Sequence, residues 1–123
     1  MKYVSPSEAV RLIDSGDSIY IQGSTSIPEV LSQALADRGD ELKDVTIYAA
    51  FAVGRREAPF CKPEYKEAFN IKSLFVANNI RHWLAEGYGT TIPAFLGEIP
   101  AMFRDGTLPL DAVFLNVSPP DKD

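Results

Sequence analysis

A stretch of small and hydroxyl-bearing residues, "QGSTSIPEV", holds the first side chains that could bind a ligand. Gly23 lets a ligand approach the backbone closely, while Ser24, Thr25 and Ser26 supply hydroxyl groups. Pro28 is expected to begin a helix, whose free N–H groups and positive dipole end could hold a phosphate or a carboxylate. The stretch matches neither the dinucleotide-binding nor the P-loop pattern. Taken alone, it favours an ordinary connection between a strand and a capped helix.

A second polar cluster follows a predicted strand in "FVANNIRHWLAEG". Arg81 could pair with a carboxylate or phosphate through two parallel hydrogen bonds, and Asn78 precedes it by three residues. A surface arginine beside turn-forming asparagines explains the same residues and is favoured. His82 is expected to be a packed or capping histidine rather than a general base, because no pattern of carboxylate and hydroxyl partners surrounds it.

A third candidate site is the loop "NVSPPD" near the end of the chain. Ser118 and Asp121 can bond to neighbouring backbone or to a ligand, while Pro119 stiffens the loop. Alone, this segment predicts a turn. Cys61 has no nearby base, and most of the eight glutamates are expected on helix surfaces. Local patterns therefore identify no nucleophile.

The length and composition predict one globular domain without a nucleic-acid or membrane partner. The chain has 123 residues, 46% of them hydrophobic, and a formal net charge of -5. That charge argues against nucleic-acid binding, which needs a basic face. One cysteine and one histidine supply neither a disulfide nor a metal-ligand pair. Without a signal peptide or membrane-spanning run, a reducing cytoplasmic setting is expected.

Apolar runs alternate with helical patterns along the chain, which predicts an open, mainly parallel sheet with flanking helices. The first helix has a capping pattern at Ser5, an apolar face that includes Leu12, and an end at Gly16. The second is expected to place Val30 on its apolar face. Four strands are predicted, at 18–23, 44–52, 71–78 and 108–117. A turn-rich stretch at 53–62, a short helix at 63–69 and two helical pieces within 90–106 lie between them.

Several of these stretches together resemble the amino-terminal part of the acetyl-CoA hydrolase/transferase family, which includes 4-hydroxybutyrate CoA-transferases. Three pieces match in order: "VSPSEAVRLIDSGDSIYIQGSTSIPEVL", "FVANNIRHWLAEG" and "IPAFLGEIPAMFRDGTLPLDAVFLNVSPPD". The last is the most specific, because "FLGEIP" stands at a fixed distance from "DAVFLNVSPPD". The resemblance is weakest through "AAFAVGRREAPFCKPEYKEAF" and at "GYGTT".

The resemblance implies CoA transfer between an acyl-CoA and a small carboxylic acid through a glutamyl-CoA intermediate. Coenzyme A is then a substrate, and neither a metal nor an organic cofactor is needed. In the family the nucleophilic glutamate lies in a carboxyl-terminal half, and members are several times longer than this chain. The chain is thus expected to be a single α/β domain over residues 1–123, a truncated amino-terminal domain that is inactive alone and forms homo-oligomers.

By position in the resemblance, Gly23 to Pro28 and Ser118 to Asp121 would border the catalytic cleft from two adjacent strand ends. Asn78 and Arg81 would lie on the same rim, and none of these residues takes a chemical step. A stand-alone module that binds a small anion, or a purely structural α/β domain, remains the alternative.

Overall fold

A computed structural model describes residues 3–50 and 57–121 of the chain. The predicted end of the second strand at residues 51–52 and the start of the turn-rich stretch lie outside these residues. The α-helices are α1 (Pro6–Ala9), α2 (Glu29–Ala36), α3 (Asn78–Ala85) and α4 (Ile99–Arg104). The strands are β1 (Ser18–Ile21), β2 (Val45–Ala49), β3 (Phe69–Ser73), β4 (Gly89–Thr91) and β5 (Ala112–Phe114). Short 3₁₀ turns occupy Val10–Leu12, Ser24–Ser26 and Pro63–Tyr65.

The strands form one parallel sheet in the order β4-β3-β2-β1-β5. The predicted fold class, an open parallel sheet with flanking helices, is confirmed. The first four strands follow one another in one direction across the sheet, and β5 then pairs with the opposite edge of β1. This change of direction at β1 is where open α/β sheets leave a crevice outside their strand ends.

Both faces of the sheet are covered, as the continuous apolar run of β2 predicts. On one face, Ile47 packs into a core cluster with residues of α2 and α3, among them Leu35 and Trp83. On the other face, Tyr48 belongs to a second cluster that includes Ile99 of α4. The alternation of side chains along a strand therefore places two separate cores above and below β2.

The first helix begins as predicted, but its buried face differs. Ser5 Oγ accepts a hydrogen bond of 3.2 Å from the backbone N–H of Glu8, and Gly16 has a φ of +89° after the helix ends. Leu12, predicted to be on the apolar face, is 83% exposed, because the helix tightens into a 3₁₀ turn after α1 and the residue spacing changes. Val10 is buried there instead.

The second helix and the segment before β3 also correct the sequence-based expectations. Val30, expected on the buried face of α2, is 67% exposed because it lies in the first turn beside an open cavity. The predicted helix at 63–69 is only the 3₁₀ turn Pro63–Tyr65, and Phe69 already begins β3. Pairing with β2 extends β3 toward the amino terminus and ends the helical segment early.

Between α3 and α4 the sheet gains a fifth strand that was not predicted. The first of the two expected helical pieces is replaced by β4 and a turn, and only α4 is helical. Gly89 is close enough to β3 that an added Cβ would lie 2.7 Å from the Ile71 carbonyl oxygen. Ile92 continues the contact by donating its N–H to Ser73 O at 2.9 Å. Pairing with a neighbouring strand therefore outweighs the local helical pattern.

The last strand is shorter and more exposed than predicted. Only Ala112–Phe114 pair with β1, and the alternate residues Val113, Leu115 and Val117 are 44%, 51% and 73% exposed. We call these three residues the β5 face. No helix among residues 3–50 and 57–121 has the length and apolar character that crossing a bilayer would require.

Candidate functional site

A cavity with a volume of about 560 Å³ lies beyond the carboxyl ends of β1 and β2, on the face covered by α2 and α3. We call it the large cavity. Residues of α1, α2, segment 57–60 and the start of α3 enclose it. Its apolar lining includes Ile21, Val30, Ala34, Ala49, Ala50, Phe60 and Ile80. Its lining comes from the ends of β1 and β2 and includes no described residue of β5, so it lies beside the crevice between β1 and β5 that the strand order predicts.

Two polar side chains in the wall of this cavity contain buried oxygen atoms without partners. Ser32 of α2 is 1% exposed, and its Oγ makes no hydrogen bond to any described residue. Asn79 of α3 has a buried Oδ1 that is likewise unpartnered within the described part of the chain. Buried polar atoms are nearly always hydrogen-bonded in proteins. Both residues are therefore candidates for ligand contact.

The charged residues in the described lining of the large cavity all carry carboxylates. They are Glu29, Asp37 and Glu57, each of them exposed. Among the described lining residues there is no lysine, arginine or histidine. The described part of the lining therefore contributes no basic side chain of the kind that usually holds a phosphate or carboxylate.

A smaller cavity of about 300 Å³ lies on the opposite face of the sheet, toward α4. Its lining includes Tyr20, Ser24 and Ile99. Gln22, Gly23 and Ala50 line both cavities, so the segment after β1 separates them. Ser24 has a φ of +62°, a left-handed conformation that is unusual for a residue other than glycine. The chain therefore turns sharply where the two cavities meet.

The hydroxyl-rich stretch after β1 is placed only partly at these cavities. Gly23 lines both cavities and Ser24 lines the smaller one. Thr25 and Ser26 belong to the 3₁₀ turn and are absent from the described lining of either cavity. Pro28 is buried and precedes the first residue of α2, which is Glu29 rather than Pro28. The side-chain carboxylate of Glu29 therefore lies at the start of the helix, where the sequence suggested that a phosphate or carboxylate ligand could bind.

The residues predicted from α3 lie beside the cavity rather than in it. Asn78 and Arg81 are exposed, and neither is among the described lining of either cavity. Their neighbour Asn79 lines the large cavity instead. His82 is exposed rather than packed: its side chain is 44% exposed and its Nε2 lies 3.4 Å from Glu57 Oε1.

The third candidate loop follows β5 at the surface. Ser118, Pro119 and Asp121 are exposed and do not appear in the described lining of either cavity. The residues between β5 and this loop are nevertheless hydrogen-bonded to the segment after β1. Asn116 donates its N–H to Gln22 Oε1 at 2.7 Å, and Gln22 donates its own N–H to Phe114 O at 3.0 Å.

Reasoning from the sequence missed three parts of the large cavity: Ser32, Asn79 and segment 57–60. A polar Ser32 between Leu31 and Leu35 on a helix face was an available signal. No local pattern distinguishes Asn79 from Asn78. Cys61, which directly follows this segment, is buried, and burial raises the pKa of its thiol to about 12. It is therefore a poor nucleophile.

Comparison with known proteins identifies the family to which the site belongs. The family model for the acetyl-CoA hydrolase/transferase N-terminal domain matches residues 1–123. The chain belongs to the acetyl-CoA hydrolase/transferase family. The resemblance based on "FLGEIP" and "DAVFLNVSPPD" is thereby confirmed.

Curated relatives of this hydrolase/transferase domain are CoA transferases. The chain is 31% identical over 117 residues to a succinyl-CoA:acetate/propanoyl-CoA:succinate CoA transferase of Fasciola hepatica, covering 94% of this chain and 24% of that protein. It is 28% identical over 121 residues to a 4-hydroxybutyrate coenzyme A transferase of Clostridium kluyveri, covering 98% of this chain and 28% of that protein. The chain thus spans about a quarter of the length of these relatives.

Solved structures share the fold of this domain. RipA from Yersinia pestis superposes with a TM-score of 0.81 at 23% identity, covering 97% of this chain and 30% of that chain. A 4-hydroxybutyrate CoA-transferase from Porphyromonas gingivalis superposes with a TM-score of 0.71 at 22% identity, covering 97% and 25%. The five parallel strands and their helices are therefore the architecture of known CoA-transferase domains.

Proposed function

We propose that this chain is the amino-terminal domain of a CoA-transferase that moves CoA between an acyl-CoA and a small carboxylic acid. The observation that carries the proposal is the meeting of two cavities at Gln22 and Gly23, at the strand-order switch of a domain that belongs to this family. Such a crevice can receive the acyl end of a thioester. Coenzyme A is a substrate here, and the proposed reaction uses no metal or organic cofactor.

In the proposed reaction a glutamate carboxylate attacks the thioester carbonyl and expels the CoA thiolate, which leaves a mixed anhydride. The thiolate then attacks the glutamyl carbonyl of the anhydride, giving a glutamyl-CoA thioester and releasing the first carboxylate. The acceptor carboxylate reverses these two steps and leaves with CoA. Hydrogen-bond donors near the reacting carbonyl stabilise the oxyanion of each tetrahedral intermediate.

The reactive glutamate of this mechanism lies outside residues 1–123. All eight glutamates of the chain are exposed: Glu8, Glu29, Glu41, Glu57, Glu64, Glu67, Glu86 and Glu98. A carboxylate nucleophile works best where water is excluded, and none of these side chains occupies such a place. This domain instead shapes the pocket, and the partner that completes the site is a carboxyl-terminal domain.

The β5 face supports the same proposal. Val113, Leu115 and Val117 present exposed apolar side chains along one edge of the sheet, close to the loop that holds Ser118 and Asp121. Apolar groups arranged in this way are usually covered by another polypeptide surface. We propose that the completing domain covers the β5 face, and that copies of the isolated chain associate through it as homo-oligomers.

Exchange of labelled acetate into acetyl-CoA tests the proposed function. The 123-residue chain should show no exchange above background. A protein in which this chain is continued by a carboxyl-terminal CoA-transferase domain should exchange label, and hydroxylamine should trap its glutamyl thioester as a hydroxamate. Turnover by the 123-residue chain alone would contradict the placement of the nucleophile, and no exchange by the longer protein would contradict the reaction.

A further inference from the structure

The β5 face lies on the same side of the sheet as α4. Val113 is paired with Tyr20 of β1 in the parallel register, so these two side chains leave the sheet on the same side. The Tyr20 ring packs edge-on against Phe103 of α4, with 5.6 Å between the ring centroids. Leu115 follows Val113 by two residues and continues the row where the chain leaves β5. The β5 face therefore lies directly beside the part of the sheet that α4 covers.

The opposite side of β5 is covered, so its exposure is confined to the α4 side. Phe114, which is paired with Ile21, is 7% exposed and belongs to the core cluster that contains residues of α2 and α3. Its neighbours Val113 and Leu115, which point the other way, are 44% and 51% exposed. Parallel sheets are normally covered by helices on both faces. The structure thus indicates a missing helix on the α4 side of β5.

The spacing of helices and strands shows where that helix belongs. α4 lies over β1 and β2, because the Phe103 ring contacts both Tyr20 and Tyr48. Packed helices lie about 8–10 Å apart and neighbouring strands about 4.8 Å apart, so one helix covers about two strands. The next position beside α4 is therefore over β5 and over one further strand. Within residues 3–50 and 57–121, β5 is the last strand on that side of the sheet.

The handedness of strand connections independently assigns such a helix to the α4 side. From β1 to β4 the strands progress in one direction, and the helices α2 and α3 lie on the side of Ile47. The connection from β4 to β5 runs in the opposite direction, and its helix α4 lies on the other side. Crossovers between parallel strands are almost always right-handed, so reversing the direction reverses the side. A parallel strand beyond β5 continues the second direction and brings its helix to the α4 side.

We infer that the part of the completing polypeptide that covers the β5 face is an amphipathic helix packed beside α4, followed by a parallel strand that pairs with the outer edge of β5. The inference rests on the proposed function, which supplies the completing polypeptide. This chain spans about a quarter of the length of the curated CoA transferases, so their remaining length is ample for such a unit. The helix is recognised by apolar residues three or four positions apart.

This arrangement leaves the carboxyl ends of the strands open. The inferred helix lies against one side of the sheet, whereas Gln22 and Gly23 follow the end of β1, where the two cavities meet. The β5 face is then a surface that extends the fold, and the strand ends are the surface on which the site is completed. The reactive glutamate accordingly approaches from the strand ends and not across the β5 face.

Photo-crosslinking in the longer protein tests which segment covers the β5 face. Benzoylphenylalanine replaces Leu115 in one variant and Val117 in another, so that the test does not depend on one substitution being tolerated. After irradiation and proteolysis, mass spectrometry identifies the peptide attached at either position. The peptide should come from the same molecule and from roughly the next 40 residues after Asp123, the length of one strand–helix–strand unit.

A matched control and a second measurement accompany the crosslinking. Benzoylphenylalanine in place of Leu12, an 83% exposed leucine on another part of the surface, should not attach to that segment. Hydrogen exchange reports the added strand. Amides of residues 112–116 should exchange about tenfold more slowly in the longer protein than in the 123-residue chain at a dilution that keeps it monomeric, because protein hydrogen bonds replace bonds to water.

Three crosslinking results would overturn the inference: attachment to a more distant part of the molecule, attachment to a second copy, or no attachment from either position. Equal exchange at residues 112–116 in the two proteins would overturn the added strand. Acetate exchange by the same longer protein separates these results from failure of the proposed function. If the expected peptide is attached but no label enters acetyl-CoA, the reaction fails and the inference stands. If label is exchanged but the peptide lies elsewhere, the inference fails and the reaction stands.

Discussion

Asn116 donates its backbone N–H to Gln22 Oε1 at 2.7 Å, joining two residues that are 94 positions apart in the chain. The bond ties the segment after β5 to the segment after β1, where the two cavities meet. A single side chain thus connects the site to the surface loop that holds Ser118 and Asp121.

Gln22→Ala is expected to loosen this connection. Loss of one side-chain hydrogen bond should reduce the free energy of unfolding by about 1 kcal/mol. Hydrogen exchange at the Asn116 amide should become faster, as measured by NMR. Gln33→Ala is the control, because the exposed Gln33 side chain bonds to Asp37 within the same helix, and such pairs contribute about 0.5 kcal/mol or less. Unchanged exchange at Asn116 in Gln22→Ala would contradict the assigned role.

Arg38→Met should destabilise the fold more than the loss of a surface charge would. The Arg38 guanidinium donates to the carbonyl oxygens of Val10 and Ile13, the latter at 2.8 Å, and so fixes the first helical segment to the end of α2. Removing it leaves these carbonyl groups without a charged donor, at an expected cost of about 2 kcal/mol in chemical denaturation. Arg11→Met, at an exposed position, should change stability by less than about 0.5 kcal/mol. Similar costs for the two variants would contradict the prediction.

Gly39→Ala should be destabilising because an added Cβ would overlap the ring of Tyr65. The cost of such overpacking is about 1–3 kcal/mol in the free energy of unfolding. In a Tyr65→Ala background the same substitution should reduce the free energy of unfolding much less. A double-mutant cycle measures the difference between the two losses of stability. Gly97→Ala is the control, since an added Cβ there meets nothing within 4 Å. A cost that is independent of Tyr65 would show that the ring is not its cause.

The buried Cys61 thiol should make stability fall at high pH. Its pKa is raised to about 12 by burial and, to a lesser extent, by Glu57, whereas an unfolded thiol ionises near 9. The contribution is complete below the unfolded pKa and decreases as pH rises toward the folded pKa, because only the unfolded chain then releases the proton. The slope approaches about 1.4 kcal/mol per pH unit.

Urea denaturation at pH 8 and pH 10 measures this effect. The unmodified chain should lose more stability between these values than Cys61→Ala, whose slope lacks the thiol contribution. Burial also raises the pKa of Tyr48, but that effect is common to both proteins. Parallel pH dependence in the two proteins would refute the assignment to Cys61.

The β5 face should drive self-association of the 123-residue chain. Leu115→Lys combined with Val117→Lys places two charges on this face and should shift the chain to a monomer in sedimentation velocity at high concentration. Leu12→Lys, which changes an 83% exposed leucine on another part of the surface, should leave association unchanged. A chain that is already monomeric without substitutions would disprove the prediction.

Much of the fold could be predicted from local patterns. The capping of the first helix at Ser5, the helical end before Gly16 and the covered strand around Ile47 all follow from short-range spacing and residue type. The unpredicted strand β4 is the main exception. Thr90 and Thr91 enter β4 because Gly89 permits close approach to β3, and this depends on partners such as Lys72 and Ser73, far earlier in the chain, rather than on neighbouring residues.

The site was less predictable than the fold. Gly23 was identified because a glycine between a strand and a helix is visible in sequence. Asn79 was not identified, because it differs from Asn78 only in the direction in which its side chain points from α3. Ser32 was overlooked because its buried hydroxyl lacks a hydrogen-bond partner among the described residues, and this can be recognised only after the surrounding chain has folded.

The sequence by itself determined the alternation of strands and helices, the parallel sheet and the family. These depend on periodic burial within single elements and on motifs such as "FLGEIP", which are local properties of the chain. Only the tertiary structure decided that β5 joins β1, that Gln22 separates two cavities, and that the described lining of the larger one carries carboxylates. This is because a cavity is lined by segments that are distant in sequence, and packing across the whole sheet determines which of them come together.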